Sequence, residues 1–118
     1  MFIRCAFFQG HVKLGKQADF DAHINTVLRG LWVQFPQAQE VRLLREVESD
    51  RSDTHLELVI MMRFASRDAL DAALQSEARF ASRAASQPLF DMFEGHVFHT
   101  VFAADALPLP LTEEGSRP

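Results

Sequence analysis

The stretch HLELVIMMRF, residues 55–64, decides the fold. Side chains of a strand alternate between two faces, so Leu56, Leu58, Ile60, Met62 and Phe64 share one face and Glu57, Val59, Met61 and Arg63 the other. The first face is wholly apolar and requires a cover. The second is apolar in the middle and charged at its ends. A sheet facing open water has no use for Val59 and Met61 there, so a second cover is expected, supplied by another subunit.

The neighbouring segments extend this strand into a sheet with helices. Residues 40–48 (EVRLLREVE) alternate and read as a strand, joined to residues 55–64 by the polar hairpin loop SDRSDT at 49–54. Residues 2–9 form another strand, mostly apolar on both faces, ending at the turn signal Gln9-Gly10; residues 11–16 (HVKLGK) read as a loop. From Gln17 the period changes. Phe20, Ile24, Val27 and Leu31 lie at helical spacing, and Phe35-Pro36 ends the helix, because proline disfavours helix in the residue before it. Gly30 within it is expected to allow close approach to the sheet.

Ser66 is placed to cap a helix over 67–75, with Leu70, Ala73 and Leu74 inward. A second helical piece over 77–86 is expected to turn Phe80 and Ala84 inward. Pro88 breaks or bends it, and Leu89, Phe90, Met92 and Phe93 form an apolar cluster. Glu94-Gly95 reads as a turn before a last strand, HVFHTVF at 96–102. The order βαββαβ with two right-handed crossovers predicts an α+β class: a ferredoxin-like plait, antiparallel sheet order 4-1-3-2, both helices on one face. The helices hide one face of the strand at 55–64. The bare face predicts a homodimer through the sheet.

The bulk numbers narrow the function classes. A chain of 118 residues builds one domain, expected over 1–104, with a tail at 105–118 that holds three of the five prolines and is either disordered or laid on a partner. A hydrophobic share of 47% is that of a globular chain rather than a disordered one. A net charge of −4 argues against a nucleic-acid partner. No apolar run approaches the ~20 residues that span a bilayer, and the first ten residues lack the features of a signal peptide. The lone Cys5 cannot form an internal disulfide, so a cytoplasmic location is expected. With 11 Phe and no Tyr, any pocket is expected to be apolar with few polar handles.

The strand order, the entry phrase Ala18-Asp19-Phe20 into a helix ending Phe35-Pro36, and the closing pattern 90–94 (FDMFE) into a Phe-rich last strand resemble the dimeric α/β-barrel superfamily over residues 2–103. EthD-like and stress-responsive barrel proteins, antibiotic-biosynthesis monooxygenases and muconolactone isomerases belong to it. The resemblance implies a dimer that holds a small apolar ligand between sheet and helices. The EthD-like pattern has a histidine about eight residues after the phenylalanine; here that position is Leu28 and the histidine is His23, so no EthD-type site is carried over.

Individual residues give candidate chemistry. His96 and His99, three apart on a strand, face opposite ways and cannot chelate one metal, so no metal site is expected. His99 reads either as a hydrogen-bonded core or interface histidine or as a pocket acid–base group. His23 borders the buried stripe of its helix, where Asp19 could orient it as a base, against a solvated helix pair. Trp32 is packing or a platform for a planar ligand. Arg4 and Arg63 read as interface ion pairs, with Glu57 for example, or as anion recognition. Cys5 reads as a small buried hydrophobe.

The reading that gathers these is a homodimer binding an apolar or aromatic metabolite without a cofactor, as an oxygenase, isomerase or cyclase. His99 and His23 are its candidate catalytic residues, and Trp32, Arg4, Phe20 and Phe98 its candidate ligand contacts. The alternatives are a non-catalytic dimeric module that binds a ligand or a protein, and a haem-binding relative with a histidine facing an open pocket.

Overall fold

The structure is a computed structural model and describes residues 1–111. Four antiparallel strands, β1 (Phe2–Val12), β2 (Glu40–Leu44), β3 (Leu56–Phe64) and β4 (Phe93–Ala103), lie in the order β2-β3-β1-β4. This is the expected 4-1-3-2 plait read from the other edge. Between β1 and β2 run α1 (Gln17–His23), a five-residue π-helical segment (Ile24–Leu28) and α2 (Arg29–Trp32). Between β3 and β4 run α3 (Arg67–Leu74), α4 (Glu77–Ala85) and α5 (Gln87–Asp91). Ser66 and Ser76 cap α3 and α4, each hydroxyl accepting from the backbone N–H three residues on, at 3.1 and 3.2 Å.

β3 divides the sheet as its alternation requires. Leu58, Ile60, Met62 and Phe64 enter the core with Ala6 and Phe8 of β1, under Phe20, Ile24, Leu28 and Leu70 of the helices. On the opposite face Cys5 pairs with Met61 and Thr100, and Phe7 with Val59 and Phe98. Phe98 is 41% exposed there and stacks on Phe7 at 5.1 Å.

Four features depart from expectation. The first concerns the turns. Gln9-Gly10 and Glu94-Gly95 lie inside strands, where Gly10 pairs with Gly95 and the ladder continues to Val12 and Phe93. Both glycines have φ near +145° (144° and 146°), and a Cβ on either would fall on the backbone carbonyl of the other strand. Glycine marks a close strand crossing at this point instead of a turn.

The second is the phase of the first helical segment. The buried stripe is Phe20, Ile24, Leu28 and Trp32; Val27 is 39% exposed and Leu31 only partly covered. A π turn holds more residues than an α turn, so every later position is displaced by one, from 27 to 28 and from 31 to 32.

The third is α4. Phe80 is 49% exposed and Ala84 is exposed, while Ser82 is buried. The helix turns a polar edge toward a cavity, beside the small Ala78 and Ala85 that pack on the core. The fourth is Gly30, which approaches nothing: a Cβ there would meet no atom within 4 Å. Pro88 does not simply break the chain but sits in the first turn of α5, where its missing N–H costs nothing. Residues 104–111 follow β4 without regular structure, with Leu107 and Leu109 exposed; the rest of the tail, 112–118, lies outside the described residues. Among the described residues no helix is long and apolar enough to cross a membrane.

Candidate functional site

A cavity of about 330 Å³ lies between the sheet and the second helical layer. Its floor is the inner face of the sheet: Arg4, Ala6 and Phe8 from β1, Ile60 and Met62 from β3, Val97 and His99 from β4. Trp32 and Phe35 close one side. Arg79, Ser82, Arg83 and Ser86 from α4 and its cap, with Phe90 of α5, close the other. The volume suits a small organic ligand.

Strand alternation places Arg4, Ala6 and Phe8 together, and register puts His99 beside Ala6 and Arg4 beside Met62. The π turn brings Trp32, buried to 3% exposure, to the cavity in place of Leu31. On α4 the positions 79, 82, 83 and 86 follow helical spacing, so one polar edge faces inward.

The electrostatics are one-sided. Arg4, Arg79 and Arg83 line the cavity and, among the described residues, no carboxylate does. Arg79 donates to the Leu74 carbonyl at 3.1 Å, which leaves most of its guanidinium donors free. Loss of hydration, followed by the charge of Arg79, lowers the Arg4 pKa. His99 keeps solvent contact through the open side of the cavity. Loss of hydration over the rest of its ring, then the charges of Arg4 and Arg79, bring its pKa down to about 4. The imidazole is therefore neutral near pH 7, with one nitrogen accepting and the other donating.

The candidate residues thus separate. Arg4, Trp32 and His99 come together at the cavity. Phe20 is fully buried in the core and packs edge-on against Phe8 at 6.2 Å, so it supports the cavity floor without lining it. His23 does not line it either: its Nε2–H donates to the Ala85 carbonyl at 2.6 Å, fastening α1 to the end of α4. The tautomer follows because a carbonyl can only accept. Asp19 is not its partner. Phe98 lies on the other face of the sheet, since an odd offset from His99 on a strand reverses direction. Among the described residues Arg4 meets no carboxylate, and Glu57 is engaged by Arg45 at 3.5 Å and His55 at 3.3 Å instead.

The residues that sequence reasoning missed are those of α4 and α5. Arg79, Ser82, Arg83 and Ser86 are readable as a polar stripe, but such a stripe ordinarily marks a solvated face. A second hollow, about 420 Å³, lies at the end of the sheet among Gly10, His11, Asp53, His55 and His96. Its groups are largely engaged: His11 stacks on His55 at 4.8 Å, His55 Nδ1 meets Glu46 at 2.6 Å, and Asp53 pairs with Arg51. Among the described residues no group of three or more His, Cys, Asp or Glu is arranged to hold a metal ion.

Comparison with known proteins gives the class. No protein-family model matches the chain, and no curated protein matches it by sequence. Solved structures do match. An EthD family protein from Bacillus halodurans superposes with a TM-score of 0.72 at 15% identity, covering 89% of this chain and 99% of that one. A dimeric ferredoxin-like protein of unknown function from Thermobifida fusca gives 0.64 at 15% identity, covering 88% and 92%. An antibiotic biosynthesis monooxygenase gives 0.58 at 16% identity, covering 92% and 100%. At these identities the likeness establishes the fold: the chain is a ferredoxin-like α+β plait of the kind these proteins share.

Proposed function

We propose that this protein is a homodimer that takes a small aromatic or apolar metabolite into the cavity between sheet and helices. It acts on that molecule without a bound cofactor, as an oxygenase, isomerase or cyclase. The observation that carries this reading is the cavity itself, walled by Trp32, Phe35, Phe8 and Phe90 and supplied with a neutral histidine, His99. Aromatic walls hold a planar ring, and His99 can accept a proton from a bound hydroxyl or activated C–H. Arg4 stabilises the negative charge that such a step leaves behind. His23 holds α1 against α4 and takes no part in the chemistry.

The dimer is supported by the open face of the sheet. Phe7, Met61, Phe98, Phe102 and Leu44 form its apolar surface, and Arg63 Nε is buried there without a hydrogen-bond partner. A second copy would cover the rings and offer an acceptor. The likeness to a protein described as a dimeric ferredoxin-like protein agrees with this.

One observation favours a non-catalytic binding role: a histidine whose pKa is about 4 is a weak base. Ligand-observed NMR with hydroxylated aromatic and polyketide-like compounds, followed by assay for turnover in air, separates the two. Binding that is lost in Ala6→Phe, which projects a ring into the cavity, supports the site. Turnover lost in His99→Ala with binding retained supports catalysis, and binding without turnover leaves a carrier. If none of these compounds binds the wild type, the reading fails.

A further inference from the structure

We propose that the cavity selects a carboxylate-bearing aromatic ligand, with the anion held by Arg4 and Arg79 and the ring against Trp32 and Phe35. The proposal rests on the ligand-binding reading above and adds the charge of what binds.

Its basis is an inversion in α4. An amphipathic helix over a sheet ordinarily turns its apolar residues down and its charges out. Here only the small Ala78 and Ala85 pack on the core and Phe80 faces solvent, while Ser82 is buried and Arg79 and the more exposed Arg83 line the cavity. Such conflicts between local pattern and placement mark functional positions. A second observation is independent of the first. Of the described arginines outside the cavity, Arg42 and Arg63 meet Glu40, Arg45 meets Asp21, Arg51 meets Asp53 and Arg67 meets Asp71, and only Arg29 bonds an amide, that of Asn25, instead. Among the described residues no carboxylate pairs with Arg4 or Arg79, although the chain carries 16 acidic side chains against 12 basic ones. Acidic side chains are in excess, and none of the described ones lines the cavity.

Cations gathered without counter-charge in a partly desolvated cavity repel one another, and that repulsion is relieved when an anion enters. A guanidinium presents a planar fork that matches a carboxylate. Arg4 comes from the sheet and Arg79 from α4, and they lie close enough for the charge of Arg79 to act on Arg4. Neutral His99 adds one donor without adding charge. An entering carboxylate cancels the arginine contribution to the depressed His99 pKa, which then rises.

The test uses a matched pair, cinnamate and cinnamamide, which share shape and differ in charge. Isothermal titration of the full chain at pH 7 is expected to show cinnamate binding at least about tenfold more tightly than the amide, the range expected of charge-assisted bonds. Arg79→Gln and Arg4→Gln are each expected to reduce that ratio below about threefold, weakening cinnamate binding far more than amide binding. The His99 ring, followed by NMR, is expected to titrate at higher pH with cinnamate bound. Equal binding of acid and amide overturns the anion assignment and leaves the cavity reading intact. Binding of neither overturns both. A full preference retained in Arg79→Gln overturns the assignment even if Arg4→Gln does not fold.

Discussion

His99 is the candidate base of the proposed function, and its burial beside two cations opposes its protonation. Burial, then the charges of Arg4 and Arg79, bring its pKa in the folded protein to about 4 against an ordinary 6.5. The unfolded chain therefore binds a proton that the folded chain refuses between those values. Stability from this group is fully present above about pH 6.5 and is lost as the pH falls toward 4. The slope from one proton cannot exceed about 1.4 kcal/mol per pH unit, and solvent contact keeps it below that. Urea midpoints measured from pH 7.5 down to 4.5 are expected to fall more steeply for the wild type than for His99→Gln. Parallel curves would show that His99 carries no such coupling. None of this was legible at the residue level. The sequence places His99 on a strand and leaves open which face it takes and which cations surround it. Arg79 comes from a distant helix, and only folding brings the two together.

The elements show why a regular period misleads by one residue. The apolar residues at 20, 24, 27, 28, 31 and 32 offer two stripes, and an ideal α-helix selects 20, 24, 27 and 31. The π turn selects 20, 24, 28 and 32. Leu28→Ala is expected to cost about 3 kcal/mol and Val27→Ala less than ~0.5 kcal/mol in chemical denaturation. The reverse order would mean that the helix is regular. The same shift aims Trp32 at the cavity, so an irregularity in the backbone supplies one wall of the site. The glycine pair is a second element-scale device. Gly10→Ala forces a Cβ onto the Glu94 carbonyl at a positive φ, and a loss of about 2 kcal/mol or more is expected. Gly15→Ala, whose Cβ meets nothing, keeps the backbone strain but not the clash, and should cost less. Glycine next to a polar residue reads as a turn in sequence; the close crossing of β1 and β4 becomes visible only once the strands are paired.

At the scale of the molecule, one sheet carries two unlike faces. The inner face is covered by helices, which enclose the cavity between themselves and the sheet. The outer face is apolar along its middle, and Phe98 and Phe102 are more than two-fifths exposed, at 41% and 44%. Phe98→Glu places a charge on this face without disturbing the packed interior. Analytical ultracentrifugation is expected to find the wild type as a dimer at micromolar concentration and Phe98→Glu as a folded monomer. A wild type that is monomeric under these conditions would remove the dimer from the proposed function. Such a result would not touch the cavity, which is built within one chain.

The amino-acid sequence by itself determined the plait: strand alternation at 55–64, helical spacing after Gln17 and the capping serine at 66 are local properties, and the handedness of crossovers turns their order into a topology. The tertiary structure alone decided which of the candidate side chains meet at the cavity and added Arg79 to them. Arg4, Trp32, Arg79 and His99 are far apart in the chain, their orientations depend on helix phase and rotation, and both follow from what each helix finds beneath it. Over packed core the apolar edge turns inward. Over the cavity α4 turns its arginines inward, against its own pattern.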